Sequence, residues 1–199
     1  MQRAKALIFD FDGTLVDSNA IKINAFKKCF NSFPNDLEAI MNYCQDHHHT
    51  PRTVKFRHVY EKILQRPFTR DIERKLAACY AEETTQKVIH APTIPGALAF
   101  LKKWASQRRT ALLSSTPHRI LLHILRKRSM LKYFSTIRGA PVCKSSWIRK
   151  FCERGGFQQK EVVFLGDTLE DAQSAQTAGV RFFLVNQETF LNGRTRHHG

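Results

Sequence analysis

Residues 4–14 (AKALIFDFDGT) decide the fold, because a short apolar run here ends in two acids and a glycine. An apolar segment of this length is typical of a buried parallel strand as it emerges into a loop. Asp10 and Asp12 follow the run, and Gly13 permits a tight turn that a side chain would obstruct. The stretch therefore predicts the first strand of an α/β fold, with two carboxylates at its carboxyl end.

Four further apolar runs have the same character, and helical patterns separate them. They are residues 110–114 (TALLS), 136–139 (TIRG), 161–166 (EVVFLG) and 180–185 (VRFFLV). Strands that alternate with helices are joined by right-handed crossovers, which place the strands parallel in one sheet. We therefore predict an α/β fold whose core is a Rossmann-like parallel sheet.

Residues 18–92 break this alternation, because they contain amphipathic helical segments and no convincing strand. The segments cover roughly residues 19–32, 36–46, 53–64 and 69–89, and prolines punctuate them. We predict an α/β core of residues 1–17 and 93–199, with a helical cap domain of residues 18–92 inserted after the first strand. Because α/β folds place their sites at the carboxyl ends of the strands, we expect the cap to cover the site as a lid.

A second acidic motif, residues 166–171 (GDTLED), follows the fourth predicted strand. Asp167 ends that strand, and Asp171 lies in the first turn of the next helix. Together with Asp10 and Asp12, these acids form a hard oxygen site suited to Mg²⁺ at the mouths of two strands. Acids that cap a helix N-terminus are the alternative explanation of this motif taken alone.

Composition limits the class of protein. The chain has 199 residues, of which 42% are hydrophobic, so it can bury a core. No apolar run approaches the roughly 18 residues that a membrane helix needs, and the first residues do not resemble a secretory signal. Five cysteines without a C-x-x-C pair argue against a disulfide scaffold or a structural zinc site. We expect a soluble, cytoplasmic protein with no membrane partner.

Charge is concentrated in one part of the chain. The formal net charge is +15, and residues 101–160 hold 15 basic residues against a single acid, Glu153. Such a block favours an anionic partner or substrate through electrostatic steering. A solvated basic helical surface explains the same charge without a partner.

Four motifs, in the same order and with matching spacing, resemble those of the haloacid dehalogenase-like hydrolases. They are residues 10–18 (DFDGTLVDS), the strand end 112–116 (LLSST), Lys144 and residues 166–171 (GDTLED). The resemblance covers almost the whole chain. It implies the subgroup with a helical cap between the first two motifs, which includes phosphoglycolate phosphatase-like enzymes.

The resemblance implies a role for each acid. Asp10 would attack the phosphorus and form an aspartyl phosphate, and Asp12 would protonate the leaving alkoxide and then activate water. Mg²⁺ would be held by Asp10, the Asp12 carbonyl and Asp167, with Asp171 in support. Because a leaving halide takes no proton, the presence of Asp12 favours phosphate chemistry over dehalogenation.

The other implied residues bind phosphate or substrate. Ser114 would donate to a phosphate oxygen, and Lys144 would neutralise charge on the transferring group and on Asp10. Ser145 stands where the family usually has proline after this lysine, so Arg149 and Lys150 remain alternatives for the cation. Further predicted phosphate- or substrate-binding residues are Gly13, Thr14, Ser115, His48, Arg52 and Lys55.

His48, Arg52 and Lys55 belong to a polar cluster, residues 47–57, at a joint between predicted cap helices. Arg52, Lys55 or a histidine would recognise an anionic substrate there. An exposed helix N-terminus with scattered positive charge is the alternative. Adjacent histidines cannot all ligate one metal from one helix face, so we expect no zinc site.

We therefore predict a Mg²⁺-dependent phosphomonoester hydrolase that acts on a small phosphorylated metabolite through an aspartyl-phosphate intermediate. A phosphomutase and a phosphonatase are alternatives on the same fold, and a basic nucleic-acid-binding protein is the alternative of another class. A phosphonatase needs a desolvated cap lysine to form a Schiff base, and the cap lysines are expected in polar surroundings. A complete set of four acids has no use in a simple nucleic-acid binder.

Overall fold

The computed structural model describes residues 4–47, 50–186 and 189–190. Two compact units lie within Met1–Asp17 plus Ala91–Gly199 and within Ser18–His90. Ala91 and Pro92 fall in the first of these units, where the Asp17 N–H donates to the Pro92 carbonyl at 2.9 Å. Over the described ranges, no helix is long and apolar enough to cross a membrane.

A parallel sheet of five strands, in the order β3-β2-β1-β4-β5, forms the centre of the first unit. The strands are β1 (Ala6–Phe9), β2 (Arg109–Pro117), β3 (Thr136–Ala140), β4 (Val162–Gly166) and β5 (Arg181–Leu184). Strand β1 is buried along its whole length, as its apolar run predicts. The predicted α/β fold with a parallel sheet is confirmed.

The register of the central strands brings the sequence motifs to one edge of the sheet. Phe9, the last residue of β1, pairs with Leu112 of β2 on one side and with Leu165 of β4 on the other. The Asp10 N–H then donates to the Leu165 carbonyl at 2.8 Å. Because the strands are parallel, the residues that follow these positions emerge at the same carboxyl edge.

The second unit is helical, and its described residues contain no strand. Its elements are α1 (Asn19–Cys29), α2 (Leu37–Asp46), α3 (Arg52–His58) with a following π-helical turn (Val59–Ile63), and α4 (Arg70–His90). Helices thus occupy the four segments predicted to be helical. The core contains an aromatic cluster in which the ring centroids of Phe26, Phe56 and Tyr80 lie 5.0–6.1 Å apart.

Four more helices belong to the first unit. They are α5 (Ala97–Ala105), α6 (His118–Lys127), α7 (Lys144–Gly155) and α8 (Leu169–Ala178). Ile8 and Phe164 of the sheet share one buried cluster with Ile148 of α7 and Ala175 of α8. Each large apolar side chain buried in this way contributes about 1.5–3 kcal/mol. This packing holds α7 and α8 against the sheet. Lys144 is the first residue of α7, and Asp171 lies in the first turn of α8.

The basic residues of the segment 101–160 have contacts within the first unit. Lysine and arginine side chains occupy the last turns of α5 and α6, where a positive charge is favourable beside the helix C-terminus. The side chains of Arg108 and Arg128 donate to the carbonyls of Ala4 and Ala91 at 3.0 Å and 2.8 Å. These contacts explain part of the positive charge of residues 101–160 without an anionic partner.

Candidate active site

The chain turns sharply after β1, and this turn positions the first two acids. Asp10 and Asp12 are only 5% and 8% exposed. Gly13 has a φ of 75°, and its N–H donates to the Val16 carbonyl at 2.8 Å. Because side chains disfavour this left-handed conformation, glycine sets the turn that holds both carboxylates at the sheet edge.

The segment after β4 positions the second pair of acids. A Cβ atom on Gly166 would lie 2.6 Å from the Cβ of Asp171, so glycine is required for the close approach of Asp171 to the strand. The Thr168 hydroxyl caps α8: its oxygen accepts from the Asp171 N–H at 3.1 Å, and its proton is donated to Asp171 Oδ2 at 2.6 Å. Asp171 is fully buried, so it is more than a solvated acid at a helix N-terminus.

Three of the acids form a cluster that can hold a metal ion. The carboxylate oxygens of Asp10, Asp167 and Asp171 lie within 4.8 Å of one another. The hydroxyl of the buried Thr14 donates to Asp167 Oδ1 at 3.2 Å and orients that carboxylate. Convergent carboxylate oxygens are the ligands that hard divalent cations prefer. The residues present therefore fit a divalent metal ion.

Lys144, the first residue of α7, places its ammonium group between two of these acids. Its Nζ lies 3.1 Å from Asp10 Oδ1 and 2.6 Å from Asp171 Oδ1, and the lysine side chain is buried. The alternative cation Arg149 donates instead to the Thr177 carbonyl at 3.2 Å, and Lys150 is exposed. Of the three candidates, the structure brings Lys144 to the acids.

Electrostatics at the cluster follow from burial and from this ion pair. Burial raises the pKa of Asp10 well above its ordinary value; Lys144 opposes this effect, and the Asp171, Asp167 and Asp12 carboxylates add to it. Burial alone would lower the pKa of Lys144, but the Asp10 and Asp171 carboxylates outweigh burial and raise it. Lys144 therefore stays charged at neutral pH, and further positive charge favours the ionised form of Asp10.

Strand β2 supplies hydroxyl groups to the second carboxylate. The Oγ of the buried Ser114 lies 3.5 Å from Asp12 Oδ2 and accepts the Thr116 N–H at 3.0 Å. The Thr116 hydroxyl donates to Asp12 Oδ2 at 2.9 Å, whereas Ser115 is exposed. Thr116 is not among the residues singled out from the sequence. Its position two residues after Ser114, on the same side of an extended strand, was the available signal.

The structure brings most of the predicted residues together in the first unit. These residues are Asp10, Asp12, Gly13, Thr14, Ser114, Lys144, Asp167 and Asp171.

The predicted substrate-binding residues of the insertion lie on α3 of the helical unit. The guanidinium carbon of Arg52 is 5.2 Å from the centroid of the Tyr80 ring. Lys55 is 5% exposed, and its Nζ lies 4.5 Å from the centroid of the Phe26 ring. Burial lowers the pKa of Lys55, so the expectation of polar surroundings is wrong for this lysine. His48 lies outside the described residues.

Comparison with known families agrees with this geometry. The sequence model of the family described as haloacid dehalogenase-like hydrolase matches residues 7–185, which contain the whole acidic site. The chain belongs to this family. The predicted family is thereby confirmed.

Two relatives within reach of sequence comparison are phosphoglycolate phosphatases. Phosphoglycolate phosphatase from Synechococcus elongatus is 26% identical over 182 residues, which cover 88% of this chain and 81% of the relative. Phosphoglycolate phosphatase from Nitrosospira multiformis is 27% identical over 200 residues, which cover 91% of this chain and 82% of the relative. The chain is therefore a haloacid dehalogenase-like hydrolase that resembles phosphoglycolate phosphatases.

A solved structure shows the same fold. A haloacid dehalogenase-like family hydrolase from Streptococcus pneumoniae superposes with a TM-score of 0.69 at 20% identity, covering 96% of this chain and 91% of that one. At this identity, the match supports the fold of the chain. The chemistry has to be argued from the residues of the site.

Lys144→Met should destabilise the metal-free protein, because it leaves the Asp10 and Asp171 carboxylates buried without their cation. Removing one partner of a buried ion pair costs about 3–5 kcal/mol, and uptake of a proton by Asp10 should keep the loss near the lower value. The free energy of unfolding in urea, measured in EDTA at pH 7, checks this.

The control for that variant is Lys150→Met, at an exposed lysine on the same helix. We expect it to change the free energy of unfolding by less than about 0.5 kcal/mol. Equal losses in the two variants would contradict a stabilising role for the Lys144 ion pair.

Proposed function

We propose that this protein is a Mg²⁺-dependent phosphatase that hydrolyses a small phosphomonoester through an aspartyl phosphate on Asp10. The observation that carries the proposal is the different environment of two neighbouring acids. Asp10 pairs with the Lys144 ammonium, whereas Asp12 accepts a hydrogen bond from the Thr116 hydroxyl. Carboxylates with separate partners can take separate roles, one as the nucleophile and one as the acid and base.

Asp10 is the nucleophile in this proposal. Its Oδ1 accepts from Lys144, so we assign Oδ2 to the attack on phosphorus. The bond from this oxygen to phosphorus forms as the bond to the substrate alkoxide breaks, which divides the hydrolysis into two displacements. The Lys144 charge favours the ionised carboxylate and neutralises the phosphoryl group beside it.

Asp12 is the acid in the first displacement and the base in the second. Its Oδ2 accepts from Thr116, so we assign Oδ1 to the proton that is given to the leaving alkoxide. The same carboxylate then takes a proton from the water that attacks the aspartyl phosphate. Proton transfer of this kind contributes about 10²–10⁴-fold to the rate.

Asp10 and Asp167 would bind Mg²⁺ directly, with the main-chain carbonyl of Asp12 as a further ligand. Bound Mg²⁺ supplies positive charge that offsets the repulsion between the nucleophile and the phosphate. Asp171 accepts hydrogen bonds from Lys144 and Thr168, so we assign it chiefly to the positioning of Lys144.

Hydroxyl groups of β2 are the proposed donors to the phosphate oxygens. Ser114 lies beside Asp12, and the exposed Ser115 follows it. The Gly13 N–H and the Thr14 hydroxyl already donate within the site, to Val16 and Asp167. For these two residues we propose that they shape the site around the phosphate.

The names of the relatives and a residue of the helical unit support a proposed substrate class. Phosphoglycolate, which the names of both curated relatives specify, carries a carboxylate beside its phosphate. A guanidinium group can bind a carboxylate with two parallel hydrogen bonds. We propose that Arg52 supplies that recognition and that the substrate is a small phosphorylated acid.

A phosphonatase is the second candidate, and the burial of Lys55 favours it. An amine whose pKa is lowered by burial is more often neutral and can attack a carbonyl carbon to form a Schiff base. An aldehyde-bearing phosphonate therefore belongs in the substrate panel. Turnover of that compound, lost in Lys55→Met, would favour this candidate over the phosphatase.

Asp10→Asn should reduce hydrolysis of a generic phosphomonoester to a trace, because an amide is a poor nucleophile. EDTA should abolish the activity of the unaltered protein and Mg²⁺ should restore it, whereas Ca²⁺ should not, because its coordination is larger and looser. Rates of phosphate release check both statements. Asp17→Asn, at an exposed acid of the same turn region, is the control and should keep full activity. Full activity of Asp10→Asn, or of the native chain in excess EDTA, would contradict the proposed mechanism.

Arg52→Ala should lower kcat/KM for the best phosphorylated acid of a panel of sugar, acid and nucleotide phosphates. Loss of one charge-assisted contact corresponds to about 1.5–3 kcal/mol, or roughly ten- to a hundredfold. A neutral generic ester should be hydrolysed at nearly the same rate by both proteins.

Arg57→Ala, at an exposed arginine of the same helix that pairs with Glu61, provides the matched control. It should leave kcat/KM for every member of the panel within about twofold, as expected for an exposed ion pair. An equal fall of kcat/KM in the two variants, or no fall in Arg52→Ala, would place the recognition of the acid elsewhere.

A further inference from the structure

Two cysteines on neighbouring helices of the helical unit bring their thiols together. Cys29 is the last residue of α1, and Cys79 lies within α4. Their Sγ atoms are 2.9 Å apart, and the Cys29 thiol donates towards Cys79. The two residues are 50 positions apart in the sequence, so the packing of α1 against α4 creates this pair.

The Cys29–Cys79 pair is partly accessible to solutes, unlike Cys44, the other cysteine of the helical unit. Cys29 and Cys79 are partly exposed, whereas Cys44 and Cys152 are buried. Cys143 is exposed, but it belongs to the start of α7 in the first unit. A small oxidant can therefore reach the Cys29–Cys79 pair, and the resulting intermediate has its second thiol within contact distance.

We propose that Cys29 and Cys79 form a dithiol site that small disulfides, such as glutathione disulfide, convert reversibly into an intramolecular disulfide. One thiol loses its proton, attacks a sulfur of the oxidant and releases one glutathione thiol. The second cysteine then loses its proton, attacks the mixed disulfide and releases the other glutathione thiol. Two S–H bonds are replaced by one S–S bond, and the two electrons reduce the oxidant.

Geometry and loop length make the second of these steps favourable. A disulfide brings two sulfur atoms to about 2.05 Å, so a small side-chain adjustment from the present contact is needed. The bond would close a loop from α1 to α4 that contains α2 and α3, including Arg52. Closure of such a loop restricts the unfolded chain and stabilises the folded unit.

The surroundings of Cys29 set the pace of the reaction. Burial raises the pKa of the Cys29 thiol, Cys79 and Glu83 add to the effect, and Arg52 opposes it. Because the thiolate is the attacking form, the raised pKa slows attack by Cys29 at neutral pH.

The test uses the full chain with Cys143→Ser, which removes the exposed thiol that would join two molecules. The protein is incubated with glutathione disulfide, free thiols are counted under denaturing conditions, and peptides are examined by mass spectrometry without reduction. We expect the loss of two thiols, a peptide that links Cys29 to Cys79, and recovery of both thiols in dithiothreitol. The oxidised protein should melt several degrees higher than the reduced one.

Cys29→Ser and Cys79→Ser in the same background are the controls, and each should stop at a mixed disulfide with glutathione. The proposal is overturned by an unchanged thiol count, by a persistent mixed disulfide in the protein with both cysteines, or by a link that involves Cys44 or Cys152. The outcome is independent of the proposed phosphatase activity, because no readout uses a substrate.

Discussion

A lysine ammonium buried between two carboxylates, Lys144 against Asp10 and Asp171, is the interaction on which the site depends. The three groups come from the turn after β1, from α7 and from α8, and they are far apart in the sequence. Buried carboxylates are unfavourable unless a cation compensates them. The strand order therefore has a chemical consequence, because it places α7 and α8 where their first residues can meet the end of β1.

Neighbouring residues make this ion pair possible and supply Asp12 with a different partner. Gly13 allows the turn after β1, and Gly166 leaves room for Asp171. Thr116 on β2 donates a hydrogen bond to the Asp12 carboxylate, whereas Lys144 contacts Asp10 and Asp171. Two acids of one short motif thus acquire different electrostatic surroundings, which is the condition for a nucleophile and a proton carrier to work side by side.

The acids and the sheet could be predicted because they depend on local pattern: apolar runs of strand length that end in Asp, with glycine at the turns. The family resemblance indicates Lys144, but local pattern alone does not separate it from Arg149, because it does not show where α7 begins or which of its faces meets the sheet. Thr116 is absent from the predicted site residues because its partner, Asp12, lies in the turn after β1, 104 positions away in the sequence. The expectation of polar surroundings fails for Lys55 because its environment is set by Phe26 on a different helix, a contact that the local sequence does not show.

Trapping the phosphate on Asp10 tests the account most directly. With an aryl phosphate, whose phenolate leaves without a proton, Asp12→Asn should slow the second displacement but not the first. A covalent intermediate should therefore accumulate when this variant meets Mg²⁺ and such a phosphomonoester. Borohydride reduces an acyl phosphate to an alcohol, and peptide mass spectrometry of the quenched and reduced protein locates the product. The account predicts homoserine at position 10 only when both Mg²⁺ and substrate are present. An unmodified peptide under conditions where the native chain turns over, or a product at Asp167, would contradict it.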